Sequence, residues 1–212
     1  MIDRTASRVP LACAILAAAA LPLSYVGTQD RFTWLLESLP VIVGLPLAVA
    51  LWPRYRLSNL LCILLLLHAI VLVVGGHYTY AKVPLGDWAR DWFGWQRNNY
   101  DKVGHALQGF EPAILTREIL KRWSPFASAP RSRLLPILCV AAPLAFSGLY
   151  EIIEWQVALA SGEGADAFLG TQGDPWDTQS DMGFALLGAV TALLLLSRVH
   201  DRSMAAAERA RP

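Results

Sequence analysis

Apolar residues in this chain gather into long runs rather than the one-faced stripes of a soluble protein. The first run covers 9–26 and follows Arg8. The second covers 34–52 and stops at Pro53-Arg54-Tyr55-Arg56. The third, 57–75, is the most apolar apart from Asn59 and His68, and two more cover 134–160 and 182–196. Such lengths match the roughly 20 residues needed to cross a hydrocarbon core of about 30 Å. Small residues at Ala17–Ala20 allow the first run to be read as a cleaved signal, but its length and the span that follows favour a retained helix. One further segment, 103–119, holds His105, Gln108, Glu111, Arg117 and Glu118, and hydropathy alone would pass over it.

Basic residues decide how these segments are threaded. With six spans and an inside amino terminus, only Arg31, Lys82, Arg90, Arg97 and Lys102 fall outside, and the remaining 13 of the 18 Lys and Arg residues fall inside. That is the direction of the positive-inside bias. Without a span at 103–119 the basic carboxyl-terminal tail would face outward. The expected architecture is therefore a single all-α membrane domain over 1–212. It has six transmembrane helices, both termini in the cytoplasm, and outer loops at 76–100 and 161–180.

Composition agrees. Hydrophobic residues make up 55% and charged residues 17%, against about 25% charge in soluble domains. A net charge of +1 and the lack of a basic stripe give no reason to expect nucleic acid. Cys13, Cys62 and Cys139 lie in apolar runs without metal or redox spacing, and read as small buried hydrophobes. Six of the eight tryptophans (Trp34, Trp52, Trp88, Trp92, Trp95 and Trp176) fall at span ends or in loops, where interfacial aromatics belong.

Chemistry-bearing residues collect toward one side. Asp101, His105, Gln108 and Glu111 follow i, i+4, i+7, i+10 spacing and share a helix face. Glu151 and Glu154 sit three apart on the fifth span, Glu154 about 9 Å below its outer end. Asp177 and Asp181 open the last one. The second outer loop adds Glu163, Asp166 and Asp174, with no Lys or Arg. So many carboxylates in a low dielectric need partners. His105, His77, Lys102 and Arg97 are the nearby cations, and a divalent metal is expected to relieve the repulsion better. The mixed N and O ligands suit zinc, manganese or iron. His105, Glu151, Glu154 and Asp181 are the expected metal ligands, with Asp101 and Asp177 in catalytic roles and His77, Gln108 and Glu111 as further members. A buried polar network that merely orients helices is the alternative. His77 also reads as an interfacial hydrogen-bonder, His68 as a packed or helix-bridging residue, and His200 as solvated.

The strings GGHYTYAKVPLG (Gly75–Gly86), RNNYDKVGHALQGFEPAILTRE (Arg97–Glu118), YEIIEW (Tyr150–Trp155) and FLGTQGDPWDTQSDM (Phe168–Met182) resemble those of the YjdF-like bacterial inner-membrane proteins. The resemblance runs from the second span to the last and implies a multi-pass protein of the bacterial inner membrane. A more distant resemblance is to VanZ-like membrane proteins. It rests on Asp101, Lys102 and His105, on Glu151 and Glu154, and on Asp181. The chain departs from that pattern in Trp155-Gln156 and in the insert at Gly170–Asp177.

Three functions remain open. One is a metal-dependent hydrolase or transferase acting on a lipid-linked or envelope substrate from the outer face, through this polar site in the outer half of the bilayer. The second is a proton- or cation-coupled transporter, although no inverted repeat is evident. The third is a non-enzymatic structural or resistance-associated factor. No P-loop, Rossmann glycine pattern or nucleophile triad appears, so no nucleotide or redox cofactor is indicated.

Overall fold

The structure is a computed structural model that describes residues 8–129, 132–161 and 171–209. Seven α-helices are described: α1 (Val9–Tyr25), α2 (Arg31–Leu51), α3 (Asn59–Tyr78), α4 (Pro84–Phe93), α5 (Tyr100–Trp123), α6 (Leu134–Ser161) and α7 (Asp177–Arg209). Arg4, Arg131 and Arg211, counted above as cytoplasmic, lie outside the described residues, as do Glu163 and Asp166 of the second loop.

Local chemistry starts the helices where the apolar runs begin. The Asp30 carboxylate accepts from Thr33 N at 2.6 Å and caps α2, and Ser58 Oγ accepts from Leu61 N at 3.4 Å and caps α3. α3 stops where Thr79 and Tyr80 turn left-handed. Tyr80 then folds back so closely that any side chain at Gly75 would overlap its ring. Beyond it, the short helix α4 turns Leu85, Trp88, Trp92 and Phe93 outward, an aromatic face suited to the bilayer interface.

The helices form a membrane bundle, but the six-span expectation is corrected. Among the described residues four helices are long and apolar enough to cross a membrane: Arg31–Leu51, Asn59–Tyr78, Leu134–Ala160 and Asp177–Arg209. Val9–Tyr25 is apolar but has only 17 residues. At 1.5 Å per residue that is about 26 Å, short of the core thickness. α5 is long enough, at 24 residues, but carries Asp101, Lys102, Glu111, Arg117, Glu118, Lys121 and Arg122. Charge counting placed it across the bilayer as an independent span. Instead it is a polar helix enclosed by α3, α6 and α7, with Asp101, Lys102, Gln108, Glu111, Arg117 and Glu118 all buried.

α5 and α7 run parallel. Lys102 meets Asp177 and Asp181 near one end, and Arg117 meets His200 and Asp201 near the other. Glycine permits the approach between them, because a Cβ on Gly109 would overlap the carbonyl of Ala185 and one on Gly188 the carbonyl of Ala106. α3 and α6 flank the pair in the opposite sense, with His68 against Glu111 and Glu151 near His105. An apolar layer of Leu61, Leu64, Ala113, Ile114, Ala189 and Ala192 crosses the middle of the bundle. All three cysteines are buried and free.

Two polar regions lie on either side of that layer. Near the ends of α3 and α6 lies the expected acidic cluster. The opposite region was not foreseen. There Glu118, fully buried, accepts from Ser58 N at 2.7 Å, Ser58 Oγ at 2.6 Å, Arg122 at 2.5 Å and His200 Nε2 at 2.8 Å. Arg117 can only donate, so its 3.1 Å contact makes His200 Nδ1 an acceptor and leaves the proton on Nε2. His200 is 0% exposed, which corrects its reading as a solvated tail residue.

Candidate metal site

The first turns of α5 and α7 bring three aspartates together. Asp101, Asp177 and Asp181 offer oxygens within 4.8 Å of one another. Bare, they would repel, but two cations already fill the space between them. Arg97 donates to Asp177 at 2.5 Å, to Asp174 at 3.4 Å and also to Asp101. Lys102 Nζ donates to Asp177 at 2.6 Å and to Asp181 at 2.8 Å. Burial works against the charge on Arg97, but Asp177, Asp101 and Asp181 outweigh it and hold the guanidinium above its ordinary pKa. Arg97 and Lys102 thus supply this trio with counter-charges of its own. The turn after residue 170, read from sequence as purely acidic, finds its cations on the other loop. Gln172 docks it further, donating to Asn98 O at 2.8 Å and accepting from Asn98 N at 3.0 Å.

A second trio adjoins the first and is organised differently. His105, Glu151 and Asp181 each place a ligand atom within 4.8 Å of the others. His105 Nδ1 lies 2.8 Å from Gln108 Oε1, an acceptor, so Nδ1 carries the proton and Nε2 presents a lone pair. That lone pair faces Asp181 Oδ1 at 3.7 Å, and Glu151 Oε1 lies 3.9 Å from Nδ1. Glu151 Oε1 is buried without a hydrogen-bond partner. Lys102 engages Oδ1 of Asp181, and among the described residues Oδ2 accepts no hydrogen bond. An imidazole nitrogen and two carboxylates with free oxygens form a donor set that fits a divalent metal. The His–Asp–Glu character fits; the Arg- and Lys-filled aspartate trio does not.

The other expected members are placed as follows. Glu154 is buried on the wall of an adjoining cavity, outside both trios. Gln108 orients His105. Glu111 Oε2 pairs with His68 Nδ1 at 3.1 Å, so His68 bridges α3 and α5. His77 Nδ1 donates to Ser24 O at 2.7 Å and ties α3 to the end of α1. Sequence reasoning passed over Glu37, which α2 buries against the same cavity. A lone carboxylate inside an apolar span was the signal available.

Fold and site together define a polytopic α-helical membrane protein with a buried His/Asp/Glu cluster able to coordinate a metal. The chain belongs to the family described as "Predicted membrane protein (DUF2238)", whose model matches residues 9–202. It is similar to "Inner membrane protein YjdF" of Escherichia coli (strain K12), with 52% identity over 186 residues, 87% of this chain and 88% of that one. This similarity supports a multi-pass protein of the inner membrane. No solved structure matches.

Proposed function

We propose that the protein is a metal-dependent hydrolase or transferase acting on a lipid-linked or envelope substrate, with His105, Glu151 and Asp181 as metal ligands. The observation that carries this reading is the convergence of three ligand atoms within 4.8 Å, one of them the partnerless Glu151 Oε1. A bound zinc, manganese or iron would polarise a phosphoryl or carbonyl oxygen and activate water. Gln108 holds the His105 tautomer that presents a nitrogen lone pair. Asp101 and Asp177 act by holding Lys102 and Arg97 charged beside the ligands, where developing negative charge on a substrate would be stabilised. Transport is the weaker reading, because the apolar layer around Ile114 separates this site from the Glu118 network.

The test is elemental analysis and metal titration of the purified full chain. About one zinc, manganese or iron per chain is expected. His105→Ala and Asp181→Asn should each lower affinity by at least about tenfold, since even partners behind the ligands are worth that much. A metal-free protein that binds none of the three on titration overturns the reading.

The site is proposed to face the outside of the inner membrane, with the carboxyl terminus in the cytoplasm. The opposite end carries the basic residues Arg54, Arg56, Lys121, Arg122, Arg133 and Arg202. Single cysteines at Lys82 and Ser203, in a background without the native three, should label from opposite sides, Lys82 from outside. Labelling of both from one side would refute this orientation.

A further inference from the structure

Beside the His105 trio lies a cavity of about 60 Å³, walled by Glu37 of α2, Glu154 of α6, His68, Tyr80, Tyr150 and Phe146, among others. Asp101, His105 and Asp181 reach its rim, so it opens onto the candidate metal site. No Lys or Arg among the described residues lines it. Asp101 and Asp181 are balanced by Arg97 and Lys102, but the two glutamates have no such partner among the described residues. Glu37 is 6% exposed and accepts one hydrogen bond, from Tyr150 Oη at 3.3 Å. Glu154 is 9% exposed, faces the cavity, and makes no hydrogen bond or ion pair among the described residues.

A buried carboxylate needs a proton, a cation or a hydrogen-bond donor. A metal is poorly served here, because neither glutamate belongs to a group of three ligand atoms within 4.8 Å among the described residues. An organic ammonium is well served. Its three N–H donors match two carboxylates and a phenolic oxygen, and aromatic faces add favourable contact with its charge. The small volume admits a primary ammonium with a carbon or two.

We infer that this cavity binds the primary ammonium group of the substrate, with Glu37 and Glu154 as its counter-charges and Tyr80 and Tyr150 beside it. The inference names a substrate class, amino-bearing head groups, and rests on the reading of the adjoining site as a metal centre that acts on them. The same ammonium chemistry is available from an aminophospholipid or from a free amine.

The test is calorimetry of the full chain in detergent with ethanolamine, using ethylene glycol as the neutral counterpart. Ethanolamine should bind and the glycol should not. Glu37→Gln and Glu154→Gln should each weaken ethanolamine at least tenfold while leaving metal affinity and the size-exclusion profile unchanged. His105→Ala should do the reverse. In nanodiscs, ethanolamine binding that is masked by phosphatidylethanolamine but not by phosphatidylglycerol identifies a lipid head group as the source. Equal binding in both identifies a free amine. Equal responses to ethanolamine and the glycol, or ethanolamine binding that survives both glutamine substitutions, overturns the inference. A wild-type chain that binds ethanolamine but none of the three metals would overturn the proposed function and leave the ammonium pocket standing.

Discussion

Replacing Glu118 with alanine is expected to destabilise the protein by about 3–5 kcal/mol, the cost of breaking a buried ion pair by removing one partner. Four donors converge on this one carboxylate: Ser58 N, Ser58 Oγ, Arg122 and His200 Nε2. Its side chain is 0% exposed, so water cannot replace it. Alanine would leave Arg122 and His200 buried without their acceptor, at the point where the start of α3 and the later turns of α5 and α7 are joined. Glu118→Gln keeps the shape and one acceptor but loses the charge, and should cost less. Thermal unfolding followed by size exclusion in detergent would rank them as wild type, Gln, then Ala. An alanine variant as stable as wild type would show that the network contributes nothing. Because the metal and ammonium sites lie beyond the apolar layer, the protein that survives should still bind its metal.

The second large effect is expected at Gly109. Even Gly109→Ala should cost about 3 kcal/mol or more, at or above the upper end of ordinary overpacking. The new Cβ would overlap the Ala185 carbonyl, and backbone cannot swing aside as a long side chain can. α5 and α7 would have to separate. That also carries Lys102 and His105 away from Asp181, so metal binding should fall together with stability. Gly188→Ala, against the Ala106 carbonyl from the other side, should behave alike. Gly183→Ala is the control: it lies on α7 with nothing within 4 Å of the added methyl, and should stay within about 0.5 kcal/mol of wild type. If Gly109→Ala and Gly183→Ala unfold at the same temperature, close approach of α5 and α7 is not what limits stability.

The class of protein could be read directly from the chain. Apolar runs of spanning length are a local property, and α2, α3, α6 and most of α7 follow them closely. The capping residues Asp30 and Ser58 mark helix starts equally locally. Helical periodicity also grouped Asp101, His105, Gln108 and Glu111, because 3.6 residues per turn holds whatever surrounds the helix. The same local reasoning misjudged α5. Counting charges on loops took it for a sixth independent span, whereas the sequence of a polar helix does not say that neighbours will enclose it.

Partnership was decided only in three dimensions. Arg97 and Asp177 are 80 residues apart, and Glu118 and His200 are 82 apart, yet each pair is in hydrogen-bond contact. Nothing in either segment names the other. The pairing follows from the parallel approach of α5 and α7, which Gly109 and Gly188 make possible, and from the loop turn that Gln172 fastens to Asn98. That packing gave the three aspartates to Arg97 and Lys102, left Glu151 Oε1 without a partner beside His105, and put Glu37 and Glu154 on one cavity. Sequence alone determined an inner-membrane helical protein with ionisable residues on known helix faces. Tertiary structure decided which of those residues neutralise one another and which remain free for chemistry, because charge compensation over a few ångströms depends on helix contacts that local periodicity does not encode.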